Sequence, residues 1–110
     1  MYVDIKRSNR PNKKYMAIFY DTNKKKVSAS QVGASDLRRI KTVHFGAVGY
    51  EDFTTHKDEF RKRKYISRHS NENWNDYMTA GSLSGYVLWN KETIEASISD
   101  YMKKFGLKSL

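Results

Sequence analysis

Residues 42–75 read TVHFGAVGYEDFTTHKDEFRKRKYISRHSNENWN, and the pattern of this stretch changes midway from strand to helix. Val43 and Phe45 alternate onto one face of a strand covering Lys41 to Gly46, whereas the residues beyond Thr55 follow a helical pattern. Thr55 followed by Asp58 has the form of a capping box, which predicts a helix running to about His69. Phe60, Tyr65 and Ile66 are its sole apolar candidates for packing, so most of its circumference is expected to face water or a charged partner. Between strand and helix, Gly46-Ala47-Val48-Gly49-Tyr50 has the form G-x-x-G. It lacks both the Gly-Lys-Ser/Thr ending of a P-loop and the third glycine of a dinucleotide site, and is read as a tight turn.

Toward the N-terminus, Tyr2 to Arg7 and Tyr15 to Tyr20 read as two strands of a hairpin, separated by the single proline, Pro11. Asp21-Thr22-Asn23-Lys24 marks a second turn, Lys25 to Ala29 a short third strand, and Ser35-Asp36-Leu37-Arg38 a loop or brief helical turn. Toward the C-terminus, a short helix is predicted from about Thr79 to Trp89, with Leu83, Tyr86 and Val87 on one side. Ile94, Ile98, Tyr101, Met102 and Phe105 then recur at helical spacing, with Asn90 as N-cap, Lys103 and Lys104 in the last turn and Gly106 as the stop. The expected fold is α+β, a small N-terminal antiparallel β-sheet followed by about three C-terminal helices packed on it. Residues 1–110 form a single domain in this reading, mainly β over 1–50 and mainly α over 51–110.

Composition narrows the function classes. Twenty-one Lys and Arg against 12 Asp and Glu give a formal charge of +9, which draws polyanions toward the protein. The longest apolar runs fall well short of the ~18 residues of a membrane-spanning helix, so no membrane association is expected. MYVDIKRSN carries charges where a secretory signal is apolar, so no signal peptide is expected. With no cysteine, disulfides and thiolate zinc sites are excluded.

Three groups of side chains carry candidate chemistry. Arg61, Lys62, Arg63, Lys64 and Arg68 place cations around one helix, with Arg61, Lys64 and Arg68 spaced along one side. Such a row can follow phosphates, and Arg38, Arg39 and Lys41, with Lys13 and Lys14 in the hairpin, add to it. The alternative is a solvated face balanced by Asp58 and Glu59. Tyr2, Tyr15, Phe19, Tyr20, Phe45, Tyr50 and Phe53 are assigned mainly to the core, although an aromatic left exposed among cations can stack on an unpaired base for ~1–3 kcal/mol. Trp74 and Trp89-Asn90-Lys91 are expected to pin the last helix to the body. His44, His56 and His69 with Asp52 and Asp58 are the residue types of a metal or nuclease site. Their spacing matches no ligand motif, because His56 and Asp58 diverge on a helix and His56 and His69 lie more than three turns apart along it. No cofactor or metal is therefore assigned, and His44 and His56 are read as fixing the strand-to-helix turn.

His-Phe-Gly-Ala-x-Gly-Tyr at 44–50, Thr55-His56-Lys57-Asp58, Arg68-His69, Thr79-Ala80-Gly81 and Leu88-Trp89-Asn90-Lys91 resemble a family of short uncharacterised proteins. These are encoded by large double-stranded DNA viruses, chiefly of algae and amoebae, and by some phages. The resemblance covers roughly the C-terminal two thirds of the chain and implies a location in the virion and the host cytoplasm or nucleus, with capsid or other viral proteins as partners. Relatives often carry Arg or Trp near Gly85, so a contact made there in the family is not expected here. The resulting expectation is a virus-encoded, non-enzymatic accessory or virion structural protein. It binds nucleic acid or an acidic partner through Arg38, Arg39, Lys41, Arg61, Lys62, Arg63, Lys64 and Arg68. The alternatives are a small metal-dependent nuclease using His44, His56, Asp58 and His69, and a protein-binding module or dimer.

Overall fold

A computed structural model describes residues 1–22 and 37–109. Strands β1 (Tyr2–Arg7), β2 (Lys13–Thr22), β3 (Leu37–Ala47) and β4 (Lys108–Ser109) form one sheet in the order β3-β2-β1-β4. The hairpin pairs Tyr2 with Tyr20 through to Arg7 with Tyr15, and β3 runs antiparallel to β2 from Lys13 opposite Ala47 to Thr22 opposite Leu37. Phe19 faces Lys41 while Tyr20 faces Arg39, so Ile40 is the extra residue of a bulge. β3 thus begins at Leu37, where a loop or helical turn was expected at Leu37-Arg38. The strand predicted over Lys25 to Ala29 lies outside the described residues.

The period-2 reading holds where it matters for the core. Val3, Ala17, Phe19, Val43 and Phe45 share one face of the sheet and are buried against Leu83, Val87, Leu88, Tyr101 and Leu107. The aromatics divide largely as expected: Tyr2, Phe19, Phe45 and Phe53 are buried, Tyr15 and Tyr20 half-buried, and Tyr50 exposed. The fold is the α+β arrangement anticipated, with four helices rather than about three following the N-terminal strands: α1 (Phe53–His56), α2 (Glu59–Arg68), α3 (Ala80–Leu83) and α4 (Ile94–Phe105). Among the described residues no helix is long and apolar enough to cross a membrane.

The helix predicted from Thr55 to His69 is two helices, and the reason is local. Asp52, not Asp58, forms the capping box with Thr55: its carboxylate accepts from Thr54 N (2.9 Å) and its own N–H donates to Thr55 Oγ1 (2.9 Å). Asp58 starts a second helix by accepting from Phe60 N (3.0 Å) and Arg61 N (3.3 Å), while its N–H donates to His56 Nδ1 (2.9 Å). Two competing caps six residues apart force a break, and Lys57 takes it up in a left-handed conformation (φ 55°).

The helix predicted over Thr79 to Trp89 is likewise composite. Thr79 caps α3, which continues into one π-helical turn, Ser84–Leu88, ending at Trp89. Gly85 lies in that turn directly beneath Trp74, where a Cβ would come within 1.8 Å of the indole. A larger residue at 85 is therefore incompatible with this placement of Trp74. The indole Nε1 donates to His69 O (3.2 Å), so Trp74 fastens the end of α2 to the π turn, not the last helix as expected.

The last helix follows the sequence except at its start. Thr93, not Asn90, is the N-cap, accepting from Ala96 N (3.1 Å), and Gly106 closes the helix with φ 64°. Of the predicted stripe, Tyr101 is fully buried, and Ile94, Ile98, Met102 and Phe105 are half-buried against the same cluster. Asn90 instead donates to Asp100 (2.8 Å) and Lys91 N to Ser97 Oγ (3.0 Å), tying the connection to α4. Beyond Gly106 the chain adds β4 parallel to β1, a strand too short to leave a periodic signal.

Candidate nucleic-acid interface

Helix geometry distributes the cations of α2 unequally. At 100° per residue, Arg61, Lys64, Tyr65 and Arg68 share one side, Lys62 and Ile66 lie toward another, and Arg63 points away from the Arg61 side. The orientation is fixed by rings. Tyr65 stacks on Trp89 with centroids 4.3 Å apart and planes 4° from parallel, and His69 stacks on Tyr65 at 4.1 Å. His56 also packs against Trp89 at 5.3 Å with the planes tilted by 56°, so four rings from α1, α2 with its C-cap, and the end of the π turn form one pile. Lys62 serves this packing rather than the surface: its ammonium donates to Asn90 O (2.6 Å) and lies 4.8 Å from the Phe53 ring centre.

The Arg61, Lys64 and Arg68 side borders a cleft of about 560 Å³ between α2 and the β2–β3 end of the sheet. Tyr65 and Trp89 contribute rings to its walls, and Lys14 reaches it from β2. The wall is close-fitting at Gly46, whose φ of 80° favours glycine and where a Cβ would come within 2.8 Å of Leu88. The two carboxylates lining the cleft are matched by cations. Asp52 pairs with Lys14 at 2.7 Å and Glu51 with Arg61 at 3.5 Å. Among the described residues Lys64 and Arg68 pair with no carboxylate, so a positive surplus remains at the cleft mouth.

A second cleft, about 530 Å³, lies on the hairpin side and carries Arg7, Arg10 and Lys13. Lys14 and Asp52 line both, so the two clefts meet at that ion pair. The loop between them is the G-x-x-G turn, in which Val48 N donates to Asn12 O (3.3 Å), Tyr50 N to Ala47 O (3.4 Å), and Lys14 Nζ to Tyr50 O. Gly49 (φ 93°) supplies the left-handed position of this turn. Tyr50, carried on that fixed backbone, is 74% exposed. The field around the hairpin is positive: partial burial first, then Arg10 and Lys13, hold the His44 imidazole below its usual pKa. Burial and then Glu72 push the Tyr65 phenol up, keeping it neutral.

Of the basic residues singled out from sequence, the structure gathers Arg61, Lys64, Arg68 and Lys14 at one cleft, places Lys13 at the second, and separates the others. Arg38 and Arg39 lie at the opposite end of β3, with seven residues between Arg39 and Ala47, a span of roughly 27 Å at strand rise, and Lys41 lies near the middle of the strand. Arg38 there faces Asp21 at 3.9 Å. The histidines also go separate ways. His44 meets Ser8 Oγ (2.7 Å), His56 receives the Asp58 N–H under Trp89, and His69 lies 3.4 Å from Glu72. His56 and His69 do approach one ring pile, through the break at Lys57, which a continuous helix forbids. Among the described residues no three His, Cys, Asp or Glu side chains are placed to hold a metal ion.

Tyr65 and Trp89 carry no binding role in the sequence reading, Tyr50 falls among the aromatics assigned mainly to the core, and His69 enters only the nuclease alternative. Tyr65 was visible as a helix residue on the Arg61/Lys64/Arg68 side; Trp89 carried no signal of its partner 24 residues earlier. No curated protein and no solved structure matches the chain. The sequence model of DUF5754, a family of unknown function, matches residues 3–69, more than half of the chain, and the protein belongs to that family.

Proposed function

We propose that this protein binds nucleic acid, without catalysis, through the cationic cleft of α2 and the adjoining basic hairpin. The observation that carries this reading is the convergence of Arg61, Lys64 and Arg68 on one cleft whose carboxylates are already neutralised, beside a second cleft bearing Arg7, Arg10 and Lys13. Phosphates laid along these groups gain charge-assisted hydrogen bonds and release counterions. An acidic protein surface offers the same charge but not the flat rings that the exposed Tyr50 complements. The resemblance to virus-encoded proteins fits an accessory or virion role, in which a small basic protein neutralises packaged DNA.

Replacing Arg61, Lys64 and Arg68 together with alanine is expected to weaken DNA binding about 10–100-fold near 0.1 M salt, three phosphate contacts being removed. None of these side chains belongs to the core, so the variant should keep its circular dichroism and melting behaviour. Unchanged affinity in the folded variant would remove α2 as the binding element.

A further inference from the structure

We propose that the interface takes unpaired, single-stranded nucleic acid, with a base stacked on Tyr50 and the flanking phosphates held by the α2 cations on one side and the hairpin cations on the other. The inference rests on the nucleic-acid reading above and names the form of the ligand. Three observations point to it.

The first is size. At about 560 and 530 Å³ the clefts have the dimensions of sites that enclose small molecules, so a nucleotide enters where a duplex could touch only the rims. The second is the placement of Tyr50. It stands at the loop where the clefts meet, 74% exposed, while the other aromatics of the sheet region are buried or half-buried. Its backbone is held on both sides, by Lys14 at its carbonyl and by the Asp52 cap two residues later. An exposed ring on a fixed backbone, bordered by cations, is the arrangement that stacks on any base without reading its sequence. The third is continuity. Lys14 and Asp52 line both clefts, so one strand can pass from Arg61, Lys64 and Arg68 across Tyr50 to Arg10 and Lys13. A stacked base requires an unpaired strand, because in a duplex its faces are already covered.

The test is fluorescence anisotropy of the full chain with a labelled oligothymidylate, a duplex of equal length and heparin, for wild type, Tyr50→Ala and Tyr50→Phe. The single strand is expected to bind about tenfold or more tighter than the duplex. Tyr50→Ala should reduce single-strand affinity about 5–100-fold while changing duplex and heparin binding less than about twofold, and Tyr50→Phe should retain it. Equal affinity for both DNA forms, or single-strand affinity indifferent to Tyr50→Ala, overturns the inference while α2-dependent binding stands. Failure of all three polyanions to bind overturns both readings.

Discussion

Tyr101→Ala is expected to destabilise the protein by ~3–5 kcal/mol, the range for removing a large ring from a closed core. Tyr101 is fully withdrawn from solvent within the core cluster, where α4 packs on the π turn. Its ring packs on Phe105 (5.4 Å between centroids) and Tyr86 (6.2 Å), and its hydroxyl donates to Tyr77 O. Alanine removes the ring, opens a cavity and leaves the carbonyl without that donor. Tyr101→Phe keeps the ring and should cost about 1–2 kcal/mol, the price of the hydrogen bond alone. Denaturant unfolding of both variants separates the two terms. A loss under about 1 kcal/mol for alanine would show that α4 is peripheral to the core.

Asp52→Ala is expected to cost ~2–4 kcal/mol. One part is the cap: the carboxylate holds Thr54 N and begins α1, worth about 1 kcal/mol. The larger part is the Lys14 pair, in which the Asp52 side chain is 5% exposed and that of Lys14 17%. Losing one partner strands the other charge, although Lys14 recovers some of the cost by turning toward solvent. Lys14→Met in the Asp52→Ala background should then restore part of the loss, and a double-mutant cycle reads the coupling directly. Strictly additive effects would mean that the pair does not join loop to sheet.

The parts of this fold that sequence revealed are those governed by one period and one stop. Val43 and Phe45 alternate, Ile94 to Phe105 repeats at helical spacing, and Gly106 ends the helix as its conformational freedom requires. What sequence concealed lies where two local preferences compete. Asp52 and Asp58 both cap, and the spacing of Thr55 and Asp58 read as a capping box hides the one that Asp52 makes with Thr55. The π turn at Ser84–Leu88 uses residues compatible with an ordinary helix, and β4 is held by backbone pairing rather than by a pattern. The site was half legible for the same reason. Arg61, Lys64 and Arg68 share a side by helical arithmetic, whereas Lys14, Tyr50 and Trp89 reach the clefts through tertiary packing that no spacing encodes. The run Arg61-Lys62-Arg63-Lys64 also hid a division of labour, since Lys62 turns inward to Asn90 and Phe53.

If phosphates are held by the cations of these clefts, binding must weaken steeply as salt rises. Titration of the wild-type protein with single-stranded DNA across a range of salt concentrations should give log K falling linearly with log salt at a slope of about −2 to −4, as expected for roughly three to five neutralised phosphates. A slope near zero, or no binding even at low salt, would rule out phosphate contacts by these cations.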